Sequence, residues 1–208
     1  ADAIKDVLRL SRGMTFKASI SGLNIGGGKA VLIGKPSLKS EAYLRRFGRF
    51  IESLGGRYTT AEDMNTHTAD MEYIAMETRH VTGLPENKGG GGDPSPVTAY
   101  GTYLGIKAAA KRAYGNDSLE GKKILIQGAG QVGKHLAKHL SKENAVLMVT
   151  DIDSEKAAKV AAANKGKVVK ADTIHEIPMD IYAPCAMGGQ LNDTSIPLLS
   201  CDIVAGAA

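Results

Sequence analysis

Lys17 in GMTFKAS and Lys29 in IGGGKAV stand twelve positions apart, and Asp63 follows in TTAEDMN. Two ammonium groups and a carboxylate can hold a small acid-bearing molecule and move protons on it. A lysine is a compact cation with three donors, and its pKa falls readily when it is buried beside a like charge. Gly26, Gly27 and Gly28 strip side-chain bulk from the approach to Lys29, which would let a ligand lie against the backbone. They do not form a triphosphate-binding loop. Ala30 stands where that motif needs Ser or Thr, and Leu23 stands where it needs its first glycine.

About a hundred residues further on, KKILIQ (122–127) is an apolar run that ends on Gly128, Gly130 and Gly133 of GAGQVG. In a strand–turn–helix setting these glycines have separate duties. The first permits the tight turn, the second lets backbone approach a pyrophosphate, and the third lets the helix pack on the strand. The helix N-terminus then offers free N–H groups to the anion. Asp151 lies 23 positions after Gly128, at the end of a second apolar run, AVLMVT (145–150). A carboxylate there accepts hydrogen bonds from an adenosine ribose and repels a 2′-phosphate, so NAD is expected in preference to NADP. Gln131 and Val132, between the glycines, and Ile152, beside Asp151, complete this candidate cofactor-binding set.

The elements needed to position these groups fall into two stretches. In the first, residues 1–12 read as an amphipathic helix and 15–34 as a short strand with a glycine loop. Helices are expected over 40–54, with Leu44, Phe47 and Ile51 on one stripe, and over 68–79. A short strand should deliver Asp63. The glycine- and proline-rich segment 86–96 reads as a linker or hinge. Beyond it, helices and unalternating apolar strands take turns, the pattern of a parallel sheet covered on both faces. The expectation is an α/β chain: a partial substrate-binding and catalytic domain over 1–90 and a Rossmann-like NAD-binding domain over 91–208, also partial. Both termini read as cut, so a fragment lacking both ends is expected.

Composition narrows the classes further. The net charge of +4 comes from 26 basic and 22 acidic side chains with no long basic block, and there is no Trp. A nucleic-acid partner would want a clustered basic stripe with stacking aromatics. No apolar run approaches the ~20 residues of a membrane-spanning helix, so no membrane partner is expected. Cys185 and Cys201 lie sixteen positions apart without metal-ligand spacing, which points to no metal and to a reducing, cytoplasmic setting. None of the five histidines occupies a motif suited to the base of a hydroxy-acid dehydrogenase.

The segments GMTFKASISGLNIGGGKAVLIG, GRYTTAEDMNT, DPSPVTAYG, IQGAGQVG, VTDID, IYAPCAMGG and IVAGAA, in this order, resemble the amino-acid dehydrogenase family of glutamate, leucine, phenylalanine and valine dehydrogenases. TTAED is most similar to the leucine and branched-chain members. The resemblance implies roles. Lys17 would bind the substrate α-carboxylate, Lys29 would be the catalytic lysine, and Asp63 would hold the amino group and shuttle protons. Ala61 would line the side-chain pocket, Thr98 would lie near the nicotinamide carboxamide, and Cys185 and Ala186 would pass the nicotinamide ribose. It implies reversible NAD-dependent deamination of an apolar L-amino acid to a 2-oxo acid and ammonia, carried out by a homo-oligomer. A phenylalanine- or tryptophan-type member, or a non-catalytic NAD-binding fragment, is the alternative.

Overall fold

Five short strands, all parallel, form one sheet in the order β3-β2-β1-β4-β5: Lys123–Gln127 (β1), Val146–Thr150 (β2), Lys167–Val168 (β3), Ile181–Pro184 (β4) and Ile203–Val204 (β5). This is a computed structural model; it describes residues 2–208, apart from the side chains of Thr173 and His175, so that histidine lies outside the described side chains. The chain divides into two units, residues 1–94 and 95–208.

In residues 95–208 the central strand explains the sheet. Ile124, Leu125 and Ile126 are all fully buried, so β1 is covered on both faces, as a parallel sheet requires. Ile124 and Ile126 face the larger core with Leu147, Val149, Ile181 and Ala183. Three helices cover that face: Ser95–Tyr114 (α4), Gln131–Lys142 (α5) and Ser154–Ala163 (α6). Alternate residues Leu125, Met148 and Tyr182 turn the other way, under Ile174 and Met179 of the 3-10 and loop segments. Crossovers through α5 and α6 place β2 and β3 on one side of β1. The chain then returns to lay β4 and β5 on the other, so the strand order reverses between β1 and β4. Ligands of open α/β sheets bind at the carboxyl end of such a reversal.

Residues 1–94 hold three further helices, Asp2–Ile20 (α1), Glu41–Ser53 (α2) and Thr68–Ala75 (α3). The Ser40 hydroxyl caps α2 by accepting from the Tyr43 N–H at 3.3 Å, and the Asp70 carboxylate secures the start of α3 by accepting from the His67 N–H at 2.9 Å. The stripe expected on α2 is buried at Leu44 and Ile51, and Leu44 makes the local core with Met71, Ile74 and Val81, against which Phe47 packs. Gly48 lies on the same stripe. A Cβ there would stand 2.7 Å from the Ile74 carbonyl oxygen and 3.0 Å from the Glu77 Cβ, so the α2–α3 spacing depends on its absence.

Two local expectations are corrected. First, the opening helix runs to Ile20, and 15–34 forms no strand. Among the described residues no segment pairs with it. A lone strand leaves its backbone groups unpaired, whereas a helix satisfies them within the segment. Second, α3 stops at Ala75 because the chain must turn to bring Val81 beside Thr60 in a single parallel bridge. That bridge is what remains of the strand expected before Asp63. The glycine-rich segment 86–96 contains the boundary between the two units, after Pro94, and is folded locally. Gly90 and Gly92 donate to the Pro85 and Leu84 carbonyls at 3.1 and 3.0 Å, and a Cβ on Gly90 would fall 1.9 Å from the Leu84 oxygen.

Gly48→Ala tests the α2–α3 contact. Helix propensity favours alanine by about 1 kcal/mol, and overpacking against a backbone carbonyl costs about 1–3 kcal/mol. The expected outcome is a lower urea midpoint, read by circular dichroism. A stabilised variant would show that the helices give way freely.

Candidate active site

Within residues 1–94 a lysine cluster is assembled by α1 and by the loops at 23–33 and 58–66. Lys17 sits in the last turn of α1, where the helix dipole favours a cation, and its side chain is exposed. The segment carrying Lys29 docks against the same helix. The Gly27 N–H donates to the Thr15 hydroxyl at 3.1 Å, and a Cβ on Gly27 would meet the Ser11 carbonyl oxygen and the Thr15 nitrogen, each at 2.2 Å. A Cβ on Gly28 would strike the Tyr58 ring at 2.7 Å, whereas one on Gly26 would meet nothing within 4 Å. Two of the three glycines are therefore required by packing, and only Gly26 leaves open space for a ligand.

This docking places the Lys29 ammonium on the Asp63 Oδ2 as an ion pair, with the lysine side chain 22% exposed. Asp63 is itself fixed. Its Oδ1 accepts from the Met64 N–H at 2.7 Å, and its N–H donates to the Thr66 hydroxyl at 2.8 Å. Burial pushes the Lys29 ammonium below its ordinary pKa, and the like charge of Lys17 adds to that, with Asp6 opposing. The Asp63 carboxylate favours the charged form and works against the depression. Ala61 lies exposed two residues before Asp63. Between them Glu62 turns inward: burial above all, and then the Asp93 carboxylate, push its carboxyl above the usual range, with His67 opposing. Its Oε2 is buried with no hydrogen-bond partner.

A separate cluster, within residues 95–208, lies at the carboxyl end of the sheet. Gly128 adopts φ +107°, a conformation open to glycine and few others, and a Cβ there would sit 2.7 Å from the Ala186 nitrogen and from the Cys185 carbonyl carbon. At Gly133 a Cβ would fall 1.9 Å from the Gly128 oxygen, so the first turn of α5 rests directly on the loop. Gly130 is different. It is the N-cap of α5, without a side-chain cap, and a Cβ there meets nothing within 4 Å. A Ser or Asp at such a position would add a side-chain cap, stabilising the helix over glycine by only about a few tenths of a kcal/mol. Glycine instead leaves the first N–H groups open to an anion, so the residues fit the pyrophosphate of a dinucleotide. Gln131 is exposed at the start of α5, and Val132 packs on the core.

Asp151 is already engaged, which sequence reasoning did not foresee. Its Oδ2 accepts from the Ala129 N–H at 2.6 Å and its Oδ1 from the Asp153 N–H at 2.8 Å, so it clasps the glycine loop from β2. Each oxygen keeps a second lone pair for a ribose hydroxyl. Ile152 beside it is fully exposed. Thr98 is exposed on the first turn of α4. Cys185 and Ala186 follow β4 and pack against Gly128; burial pushes the Cys185 thiol up, which keeps it a thiol. The sequence reading also passed over Gln127, Tyr182 and Thr150 at the same sheet end. The signal was a polar residue closing each of two apolar strands. Among the described residues no group of three or more His, Cys, Asp or Glu side chains could hold a metal ion.

A reversed parallel sheet, a glycine loop resting on a helix N-terminus and an acid at the end of β2 define a dinucleotide-binding domain of the Rossmann class. Comparison with known proteins narrows this. Residues 2–80 match the family profile described as Glu/Leu/Phe/Val dehydrogenase, dimerisation domain, and residues 108–183 match one described as Shikimate / quinate 5-dehydrogenase. Leucine dehydrogenase of Geobacillus stearothermophilus is 52% identical over 208 residues, which is 100% of this chain and 57% of that protein. Valine dehydrogenase of Streptomyces virginiae is 46% identical, over 100% of this chain and 59% of that protein. The crystal structure of L-tryptophan dehydrogenase from Nostoc punctiforme superposes with a TM-score of 0.73 at 43% identity, covering 99% of this chain and 58% of that one. The chain belongs to the Glu/Leu/Phe/Val dehydrogenase family. It spans a little under three fifths of the length of these relatives.

The charges around Lys29 make a testable set. Replacing Lys17 by Gln removes a like charge and should raise the pH at which Lys29 becomes reactive. Asp63→Asn removes the opposing carboxylate and should lower it. Competitive acylation across a pH series, read by mass spectrometry at Lys29, checks both signs. Equal profiles in all three proteins would mean that neither group controls the ammonium.

Proposed function

We propose that this chain carries the catalytic lysines and the cofactor cradle of an NAD-dependent L-amino-acid dehydrogenase acting on an apolar side chain, with leucine or another branched-chain amino acid favoured. The observation that carries the reading is the Lys29–Asp63 ion pair, half-buried and within reach of the Lys17 charge. It is supported by a glycine cradle whose second glycine is left open.

In this reading Lys17 holds the substrate carboxylate as a point charge, and Asp63 receives the amino group. NAD, when bound, accepts the hydride from Cα. The resulting iminium carbon is attacked by water, whose proton passes to the neutral amine of Lys29. The carbinolamine then collapses to 2-oxo acid and ammonia: the proton held by Lys29 passes through Asp63 to the departing nitrogen, and the freed amine of Lys29 takes the hydroxyl proton. The depression of Lys29 by burial and Lys17 serves this step, because it brings the neutral amine within reach at lower pH. NAD in preference to NADP follows from the Asp151 carboxylate, which would repel a 2′-phosphate. Exposed Ile152 offers an apolar face beside the adenosine. We also propose a homo-oligomer. Ile4, Leu8, Phe16, Ile20, Ile25 and Ile33 are all exposed, an apolar surface of the kind that subunits cover, and they fall within the segment matching a dimerisation domain.

The test uses a polypeptide of the relatives' full length carrying this chain, with NAD and a panel of L-amino acids, following the absorbance of the reduced cofactor. Turnover of leucine or valine is expected, and Lys29→Ala should lower kcat by about 10²–10⁴. A loss smaller than about tenfold would remove Lys29 as the base. Cofactor binding with no turnover across the panel would favour a non-catalytic module.

A further inference from the structure

Gln127 closes β1 directly after the buried apolar run Ile124, Leu125 and Ile126, and is 9% exposed. A buried carboxamide is costly unless both of its ends are satisfied. Here both are: Oε1 accepts from the hydroxyl of buried Tyr182 on β4, and Nε2 donates to Oε1 of Gln190 at 3.1 Å. Burial pushes the Tyr182 hydroxyl up, so it stays a donor. The three side chains thus bridge β1, β4 and the segment that leaves β4, across the point where the strand order reverses.

That segment is tied at both ends and little in between. At its start the Cys185 N–H donates to the Gln127 carbonyl at 2.7 Å. At its far end the Gln190 side chain meets the Gln127 carboxamide, and the Gln190 carbonyl accepts from the Ser195 hydroxyl at 2.6 Å. Between them a Cβ on Gly188 or Gly189 would meet nothing within 4 Å. Beside the segment lies a cavity of about 170 Å³, bounded by Pro184, Gly188, Gly189, Gln190, Leu191 and Ala208. Asp151 and the clasp on Ala129 belong to β2, on the other side of β1.

We propose that Gln127 is a positioning residue. Through Tyr182 and Gln190 it fixes the segment 185–190 as the wall for the nicotinamide end of the dinucleotide, without touching the adenosine end. The inference rests on the dinucleotide reading above, and two probes separate the failures. NADH spans both ends of the cradle, whereas ADP fills only the adenosine end. Calorimetric titration of each is made on the whole chain and on Gln127→Leu, Gln190→Ala and the double variant. Gln190 is exposed, so its truncation leaves the buried layer in place should Gln127→Leu fold poorly.

Each single change should weaken NADH about tenfold, the worth of one good hydrogen bond, and leave ADP unchanged. The double variant should be no worse than Gln127→Leu alone, because Gln190 acts through the same carboxamide. Unchanged NADH affinity in Gln190→Ala would overturn the proposal. So would equal loss of NADH and ADP, which marks general damage to the sheet end. If the unaltered chain binds neither probe, the dinucleotide reading falls and this inference falls with it.

Discussion

The contact between Gly133 and the carbonyl oxygen of Gly128 sets the geometry of the cofactor half. A helix can begin directly on the loop that ends β1 only if nothing projects from its first turn toward that carbonyl. With the helix seated there, its open N–H groups point to the carboxyl end of the sheet, and the Asp151 carboxylate can reach across from β2 to hold the Ala129 N–H. Gly128 then lies against Cys185 and Ala186, so the loop after β4 is placed by the same turn. One missing methyl group thus positions structure on both sides of the strand reversal.

The lysine half is governed by a different constraint, the cost of keeping charge half-buried. Lys29 would be expensive to desolvate alone, and Asp63 offsets that cost while Lys17 adds to it. The balance depends on backbone packing that carries no charge: Gly27 on the Ser11–Thr15 turn and Gly28 on the Tyr58 ring. Glu62, with an unpartnered buried oxygen beside the ion pair, shows how closely this unit combines desolvation with acid–base groups.

Much of this was legible in the primary structure. Unalternating strands, a glycine fingerprint after the first and an acid after the second give a parallel dinucleotide-binding sheet, because each feature reports a local rule of backbone or burial. The stripe on α2 was legible for the same reason. Less legible was the segment 15–34, whose residue types suit a strand. A strand needs a partner, and pairing is not a local property. The glycines before Lys29 misled in a related way: their spacing suggested room for a ligand, and two of them turned out to make room for the protein itself.

By itself the sequence determined the family, the strand–helix alternation, the glycine cradle and the identity of the charged groups, since those follow from residue type, order and period. Tertiary structure alone decided that Lys29 pairs with Asp63, that Asp151 clasps the loop it follows, and that Gln127, Tyr182 and Gln190 join across the strand reversal. These contacts link residues 22 to 63 positions apart. Whether such groups meet depends on how the chain packs, and no local propensity encodes that.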